Sequence, residues 1–323
     1  MGRIFRKKWV PGAKDRPYLC GMPDEKSIRI PFPPDFNFRE CLWFLDRGYN
    51  DCMHTVKGNV LLKALRVDGQ ALLVRITAEQ DYLLAEILGG AGGERQLEFI
   101  KNYIIGWLDL ERELTPFYQL LGKNKRLSYM CSAFRGLRLI GIVDLFEALS
   151  WSIIGQQINL TFAHKLKRRL VEQYGERLDY EGEAYYLFPA CEDLAGVTVA
   201  ELRAMQFSQS KATYLIGLAS SFAKGALSGE MLLGLPDLES RQKALTALKG
   251  IGIWTANYTL MKTLREPSSI PHGDTGLLTA LAKHGVIKER SEVEKINRFF
   301  SGFKGWESYL VFYLWRSLYG EGA

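Results

Sequence analysis

Cysteine is scarce in this chain and poorly arranged for chemistry. The five, Cys20, Cys41, Cys52, Cys131 and Cys191, are odd in number, widely scattered and free of any Cys-x-x-Cys pair. That spacing indicates neither a disulfide framework nor a zinc site. Long apolar runs are missing too: no stretch approaches the ~20 residues needed to span a bilayer, so no membrane partner is expected. The opening residues Met1-Gly2-Arg3-Ile4-Phe5-Arg6-Lys7-Lys8 are basic but lack the apolar core of a secretory signal, which points to the cytoplasm, or in a eukaryote to the nucleus or an organelle. Histidine numbers only four, and no internal repeat or low-complexity tract stands out. Neither charge sign dominates: Lys plus Arg total 42 against 36 Asp plus Glu, a net +6. So mild a basic excess fits a nucleic-acid partner without requiring one.

What is present is ordinary globular material, 47% hydrophobic and 24% charged, over 323 residues, long enough for two or three subdomains. Up to about residue 110 the pattern mixes strands and helices. Ser27 to Phe32 reads as a strand stopped by Pro33-Pro34, and Phe38 to Asp46 as a short helix. Val60–Val67 and Ala71–Thr77 flank Asp68-Gly69, a dipeptide suited to a type I′ hairpin. Helices are expected over Asp81–Leu88 and Leu97–Leu110, separated by the glycine-rich break 89–93. This region shows no chemistry and reads as scaffold. From about Glu111 the pattern is almost wholly helical, with apolar spacings of three and four over Leu114–Leu121 and Leu127–Phe134. Asp144 caps a helix running through Ile153, and a polar turn, Gly155-Gln156-Gln157-Ile158-Asn159, leads to a helix whose Lys165, Lys167, Arg168 and Arg169 read as a solvated face. Further helices are expected over Val199–Phe207, Lys211–Lys224, Leu238–Leu248, Ile253–Leu264, Gly276–His284, Glu292–Phe300 and Ser308–Leu318.

The stretch from Leu248 to Leu278 is the most informative. Gly250 and Gly252 bracket Ile251, a spacing that turns the chain sharply between two helices and removes Cβ atoms from an approaching surface. The unpaired N–H groups of the next helix start, at Ile253, can then meet a phosphate oxygen, with Lys249 as a second surface contact. Trp254 and Tyr258 are four apart and share a helix face. Asp274 follows a proline and a glycine and precedes an apolar run, where it serves either as a helix cap or as a positioned carboxylate.

Gly250-Ile251-Gly252-x-Trp254-Thr255-Ala256-Asn257-Tyr258 followed by Asp274 resembles the helix-hairpin-helix DNA glycosylases, and within them the DNA-3-methyladenine glycosylase II branch, from about residue 100 onward. The resemblance implies an α+β N-terminal domain with a small antiparallel sheet (residues 1–110) and a mostly α two-subdomain core. One subdomain (141–266) contains the hairpin; the other (111–140 with 267–323) carries Asp274. It implies that Asp274 is catalytic, that Trp254, Tyr258 and Trp315 line the base pocket, and that Gln157 wedges the duplex. Lys249, Gly250, Gly252 and Ile253 would contact DNA. Backbone carbonyls of Thr246, Leu248 and Ile251 would hold a monovalent cation, Na+ or K+. No other cofactor is implied: relatives with an iron–sulfur cluster place four cysteines after the catalytic region, and none follows Cys191 here.

The implied activity is hydrolytic excision of alkylated purines, of the 3-methyladenine and 7-methylguanine type, from double-stranded DNA by a monomeric base excision repair enzyme. Trp254 stands where strand-cleaving relatives carry a Schiff-base lysine, so abasic-site lyase activity is not expected. Three positions depart from the family pattern: Gln157 replaces an apolar wedge, Lys249 a common proline, and Thr275 a common aromatic, which leaves the ranking of lesions open. His272 reads as structural. The rival readings are an oxidised-purine (8-oxoguanine-type) glycosylase, against which Trp254 argues, and a non-catalytic helix-hairpin-helix damage-sensing protein, against which Asp274 argues.

Overall fold

A computed structural model describes residues 25–320 apart from positions 50 and 91. Cys20 and the basic stretch from Met1 to Lys8 lie outside the described residues. The chain opens with β1 (Ser27–Pro31), α1 (Phe38–Leu45), β2 (Thr55–Lys57), β3 (Val60–Val67), β4 (Gln70–Ala78) and β5 (Tyr82–Leu88). The strands form one antiparallel sheet in the order β1-β5-β4-β3-β2. At the β3–β4 turn Asp68 and Gly69 have φ of 50° and 79°, the left-handed pair that a type I′ turn demands. Asn37 starts α1 by accepting from the Glu40 N–H at 3.2 Å.

The segment expected as a helix over Asp81–Leu88 is instead strand β5. Its Leu83, Ala85 and Ile87 are buried and alternate with half-exposed neighbours, a period of two. It is paired on both sides, to β1 and β4, so its backbone is satisfied by partners distant in sequence. Leu-Leu-Ala-Glu favours helix locally, and tertiary pairing overrides so weak a preference.

The remainder is chiefly helical: α2 (Glu94–Leu108), α3 (Thr115–Lys123), α4 (Met130–Ala133), α5 (Leu145–Gly155) and α6 (Leu160–Tyr174). A small hairpin follows, β6 (Arg177–Tyr180) and β7 (Glu183–Tyr186), then α7 (Cys191–Ala195), α8 (Val199–Ala204), α9 (Gln209–Ala223) and α10 (Gly229–Leu233). The last elements are α11 (Leu238–Thr246), α12 (Ile253–Thr263), α13 (Thr275–Lys283), α14 (Val293–Ser301) and α15 (Glu307–Arg316). Helix α4 is shorter than the spacing over Leu127–Phe134 predicts, because the chain before it runs through i→i+3 turns such as Met130 N–H to Leu127 O. The β6–β7 hairpin, absent from a purely helical reading, turns at Glu181 and Gly182, both left-handed. It covers the second face of the five-stranded sheet, packing Tyr185 and Leu187 against Leu62, Ala64 and Leu73.

Two large apolar interiors result. One joins the sheet's first face and α2 to α3 and α13–α15; the other is built by α5 to α12. Helix α15 is buried almost all round, as expected of a helix apolar on every side. Its buried Arg316 pairs with Glu40 of α1 at 2.9 Å and lies 3.7 Å over the Trp43 ring. Among the described residues no helix is long and apolar enough to cross a membrane.

Candidate active site and nucleic-acid face

A cavity of about 900 Å³ opens where the two interiors meet, lined by Ile140, Trp315 and Phe44 from one side and by Trp151, Gln156 and Tyr258 from the other. Asp274 lies on its wall as the N-cap of α13. The turn before it contains Gly273 at φ +85°, a conformation that L side chains rarely adopt. The Asp274 Oδ1 accepts from the Leu277 N–H at 2.7 Å and from Trp315 Nε1 at 2.8 Å. No ion pair engages this carboxylate among the described residues, and its Oδ2 has no hydrogen-bond partner there. It therefore caps a helix and, as a residue of the cavity wall, keeps one oxygen without a protein partner. A Cβ at Gly276 would lie 3.2 Å from Oδ1 and 3.3 Å from the Trp315 ring, so the pair fits only over a glycine or with a small shift. His272 is exposed and does not line the cavity.

Aromatic rings enclose the cavity. Trp254 and Tyr258 stack at 5.5 Å with planes 19° apart, and Tyr258 meets Trp315 at 6.1 Å. Trp315 touches Phe312 at 6.5 Å, which meets Phe44 at 4.5 Å. The Arg47 guanidinium covers Phe44 at 4.0 Å and reaches Tyr49 at 5.6 Å. Tyr49 stacks on His164 at 5.0 Å, His164 meets Trp151 at 4.7 Å, and Trp151 Nε1 donates to the Tyr258 hydroxyl at 3.0 Å. Burial pushes that hydroxyl up to about 12, so it stays a neutral acceptor. Spacing alone groups Trp254 with Tyr258. Phe44, Arg47 and Tyr49, from a region that reads as scaffold, leave no local signal, because they reach the cavity only through the packing of α1 against α15.

Behind the rings lies a buried charge cluster. Lys167 does not belong to a solvated face: it is 5% exposed, one turn after buried Ala163, on the side of α6 that faces the interior. Its Nζ is 3.1 Å from both Asp51 carboxylate oxygens and 3.6 Å from Glu147. Burial alone would raise the Asp51 carboxyl, but Lys167 and two histidines pull it well below the usual range. Burial alone would likewise lower Lys167, and the two carboxylates reverse that, so the pair stays ionised. His164, whose Nδ1 is buried without a hydrogen-bond partner, is held down to about 4 chiefly by burial and is neutral at pH 7. Lys63 donates to Met53 O at 3.1 Å and Lys262 to Ile140 O, so each lysine on the cavity wall is engaged.

The hairpin lies beside this cavity. Gly250 has φ +89°, and a Cβ there would fall 2.3 Å from Tyr214 Cγ, so both conformation and space require glycine. Gly252 caps α12 with open space around it, Ile253 is 52% exposed, and Lys249 is exposed with no acidic partner among the described residues. A second cleft, lined by Ser208, Lys211, Tyr214 and Gly250, runs along it. Gln156, not singled out by the sequence, donates to Gly250 O at 2.9 Å and to Thr255 Oγ1 at 3.2 Å, tying the polar turn to the hairpin. Gln157 is exposed, left-handed at φ 57°, and lines both the cavity and the second cleft. Thr246, Leu248 and Ile251 lie at the α11–α12 junction, and Leu248 O already accepts from the Ile251 N–H at 3.1 Å. Three neutral carbonyl oxygens fit a hard, singly charged cation. Among the described residues no cluster of His, Cys, Asp or Glu could hold a metal.

Residues 150–304 match the family described as the HhH-GPD superfamily base excision DNA repair protein. The chain is 36% identical over 295 residues, 90% of its own length and 97% of the relative's, to a DNA-3-methyladenine glycosylase of Bacillus subtilis (strain 168). It is similar in structure to a 3-methyladenine DNA-glycosylase from Archaeoglobus fulgidus, with a TM-score of 0.76, 25% identity, and coverage of 89% and 97% of the two chains. A Clostridium acetobutylicum 8-oxoguanine glycosylase/lyase in complex with double-stranded DNA superposes with a TM-score of 0.73 at 19% identity, covering 91% and 95%, a likeness of fold alone.

Proposed function

The chain belongs to the HhH-GPD superfamily of base excision DNA repair proteins, and from that premise we propose that it is a 3-methyladenine-type glycosylase excising alkylated purines from duplex DNA without cutting the strand. The observation that carries this reading is the Asp274 carboxylate, fixed through Oδ1 by a backbone N–H and an indole N–H, with Oδ2 unpartnered on the wall of a cavity of about 900 Å³ that has room for a whole nucleoside. Breaking an N-glycosidic bond builds positive charge on the sugar. A pre-oriented carboxylate stabilises that charge without rearranging during the reaction, and it can direct the attacking water.

Reaching this carboxylate requires the nucleotide to leave the stack, which costs a few kcal/mol (~2–4) and is least costly for weakly paired bases. Gln157, standing between cavity and hairpin cleft, fills the vacated space and can hydrogen-bond the orphaned base. The hairpin N–H groups at Gly252 and Ile253, with Lys249, hold a phosphate; a cation at the Thr246, Leu248 and Ile251 carbonyls would add charge there. Trp254, Tyr258 and Trp315 present faces on which a cationic base gains roughly 0.5–2 kcal/mol. Such a base leaves without prior protonation, so no separate general acid is required. Among the described residues no amine of the cavity wall is poised for Schiff-base chemistry: Trp254 supplies none, and the wall lysines are bonded to Met53, Asp51 and Ile140. In this reading residues 1–110, 141–266 and 111–140 with 267–323 act as three units around one substrate.

Base release from methylated duplex DNA tests the proposal. Asp274→Asn is expected to lower release by at least ~10³-fold while abasic-DNA affinity holds, and borohydride is expected to trap no enzyme–DNA adduct. Undiminished release in the variant would remove the mechanism, and a trapped adduct the water-only chemistry.

A further inference from the structure

Among the described residues, one cation of the cavity wall has neither a carboxylate partner nor an acceptor for its outer nitrogens. Lys167 is paired with Asp51, and burial lowers the affinity of Lys63 and Lys262 for a proton. His164 and His54 are likewise shifted towards their neutral forms by burial. Arg47 remains. Its Nε donates to Phe44 O at 2.8 Å and its plane covers the Phe44 ring at 4.0 Å, so the head group is held in place. No carboxylate pairs with it, and its two terminal nitrogens have no acceptor among the described residues. A guanidinium cannot shed its charge at physiological pH, so this fork of donors is a permanent feature of the pocket.

We infer that Arg47 reads the O6/N7 edge of the flipped purine and biases the pocket towards neutral 6-oxopurines, of the hypoxanthine kind, over N7-alkylated cations. This rests on the proposed glycosylase reading, since it requires a purine in the cavity. The chemistry is that of bidentate recognition: two coplanar acceptors, O6 and N7, match the fork of an arginine. Hypoxanthine offers both acceptors and carries no charge. A 7-methylguanine has lost the N7 acceptor and brings a positive charge against a fixed one. Cationic purines still depart, because their own charge weakens the glycosidic bond; Arg47 supplies what the neutral lesion lacks, a positive group facing the electrons that the base takes as it leaves. The structure thus combines faces that tolerate a cation with an edge that prefers a neutral acceptor.

The experiment compares kcat/KM for two duplexes, one containing hypoxanthine and one 7-methylguanine, in the wild-type chain, Arg47→Met and Arg47→Lys. In R47M hypoxanthine release is expected to fall about tenfold or more, the scale of a lost charge-assisted hydrogen bond, while 7-methylguanine release holds or rises. R47K keeps the charge without the fork, so it is expected to lose hypoxanthine release and leave 7-methylguanine as slow as in the wild type. Equal losses on both duplexes, with weaker abasic-DNA binding and a shallower salt dependence, would make Arg47 a phosphate contact and overturn the inference. No change on either would do the same. Should R47M fail to fold, R47K decides alone, since a selective loss on one duplex is not the mark of a folding defect. A wild-type chain that releases neither base would sink the parent reading instead.

Discussion

The indole N–H of Trp315 and the backbone N–H of Leu277 converge on one oxygen of Asp274, which leaves the other oxygen unpartnered among the described residues. Trp315 is thus a positioning residue as well as an aromatic wall, and the two roles separate experimentally. Trp315→Phe keeps a ring and deletes the donor. Single-turnover base release is expected to fall roughly 10–100-fold with little change in affinity for substrate, because the lost contact fixes geometry more than it binds. A rise in KM with kcat unchanged would show that the ring, and not the hydrogen bond, is what counts. The residues of this arrangement differ in how plainly the sequence displays them. Trp254 and Tyr258 are a helical repeat apart, and Asp274 follows a turn signal, so their placement is local information. Arg47 lies over 200 positions from Asp274 and meets the same cavity only because α1 packs beside α15.

The hairpin between α11 and α12 is the element where local sequence and conformation agree most closely. Gly250 needs both a left-handed backbone and the space occupied by the Tyr214 ring. Gly250→Ala is expected to cost about 1–3 kcal/mol of stability and to weaken duplex binding, read by thermal denaturation and by titration of abasic DNA. Tyr214→Ala in the same chain would relieve the clash but not the strained φ, so only part of the loss should return; complete recovery would show that crowding was the whole effect. Strand β5 shows the opposite relation. Its residues suit a helix, and only the two flanking strands reveal it as sheet. The β6–β7 hairpin was hidden for a related reason, since its buried Tyr185 and Leu187 are explained by the far face of a sheet formed by residues 27–88.

At the scale of the whole molecule, the Asp51–Lys167 pair and the neutral His164 lie where the loop after α1 meets α6, and this makes the junction acid-sensitive. His164 titrates near 4 in the folded chain against an ordinary value of 6.5. Between those values the unfolded chain binds the proton and the folded chain does not, so stability rises with pH across that window and falls on acidification. The contribution is at most ~3 kcal/mol, at roughly 1.4 kcal/mol for each tenfold loss of proton affinity on folding. The Asp51 carboxylate, held low by its neighbours, adds stability that is lost only at still lower pH, as the pH falls through its depressed folded value. The expected observation is a thermal midpoint that declines from about pH 6.5 to about pH 4, with the decline reduced in His164→Asn. An equal decline in the variant would place the acid lability elsewhere.

The wall of rings draws on residue 44 of α1 and on residue 315 of α15. During synthesis the earlier rings emerge from the ribosome long before the helix that closes the circle. A nascent chain therefore carries the turn between α11 and α12, complete by residue 263, before it owns the closed cavity. Translation order thus makes the closed cavity a later acquisition than the turn beside it.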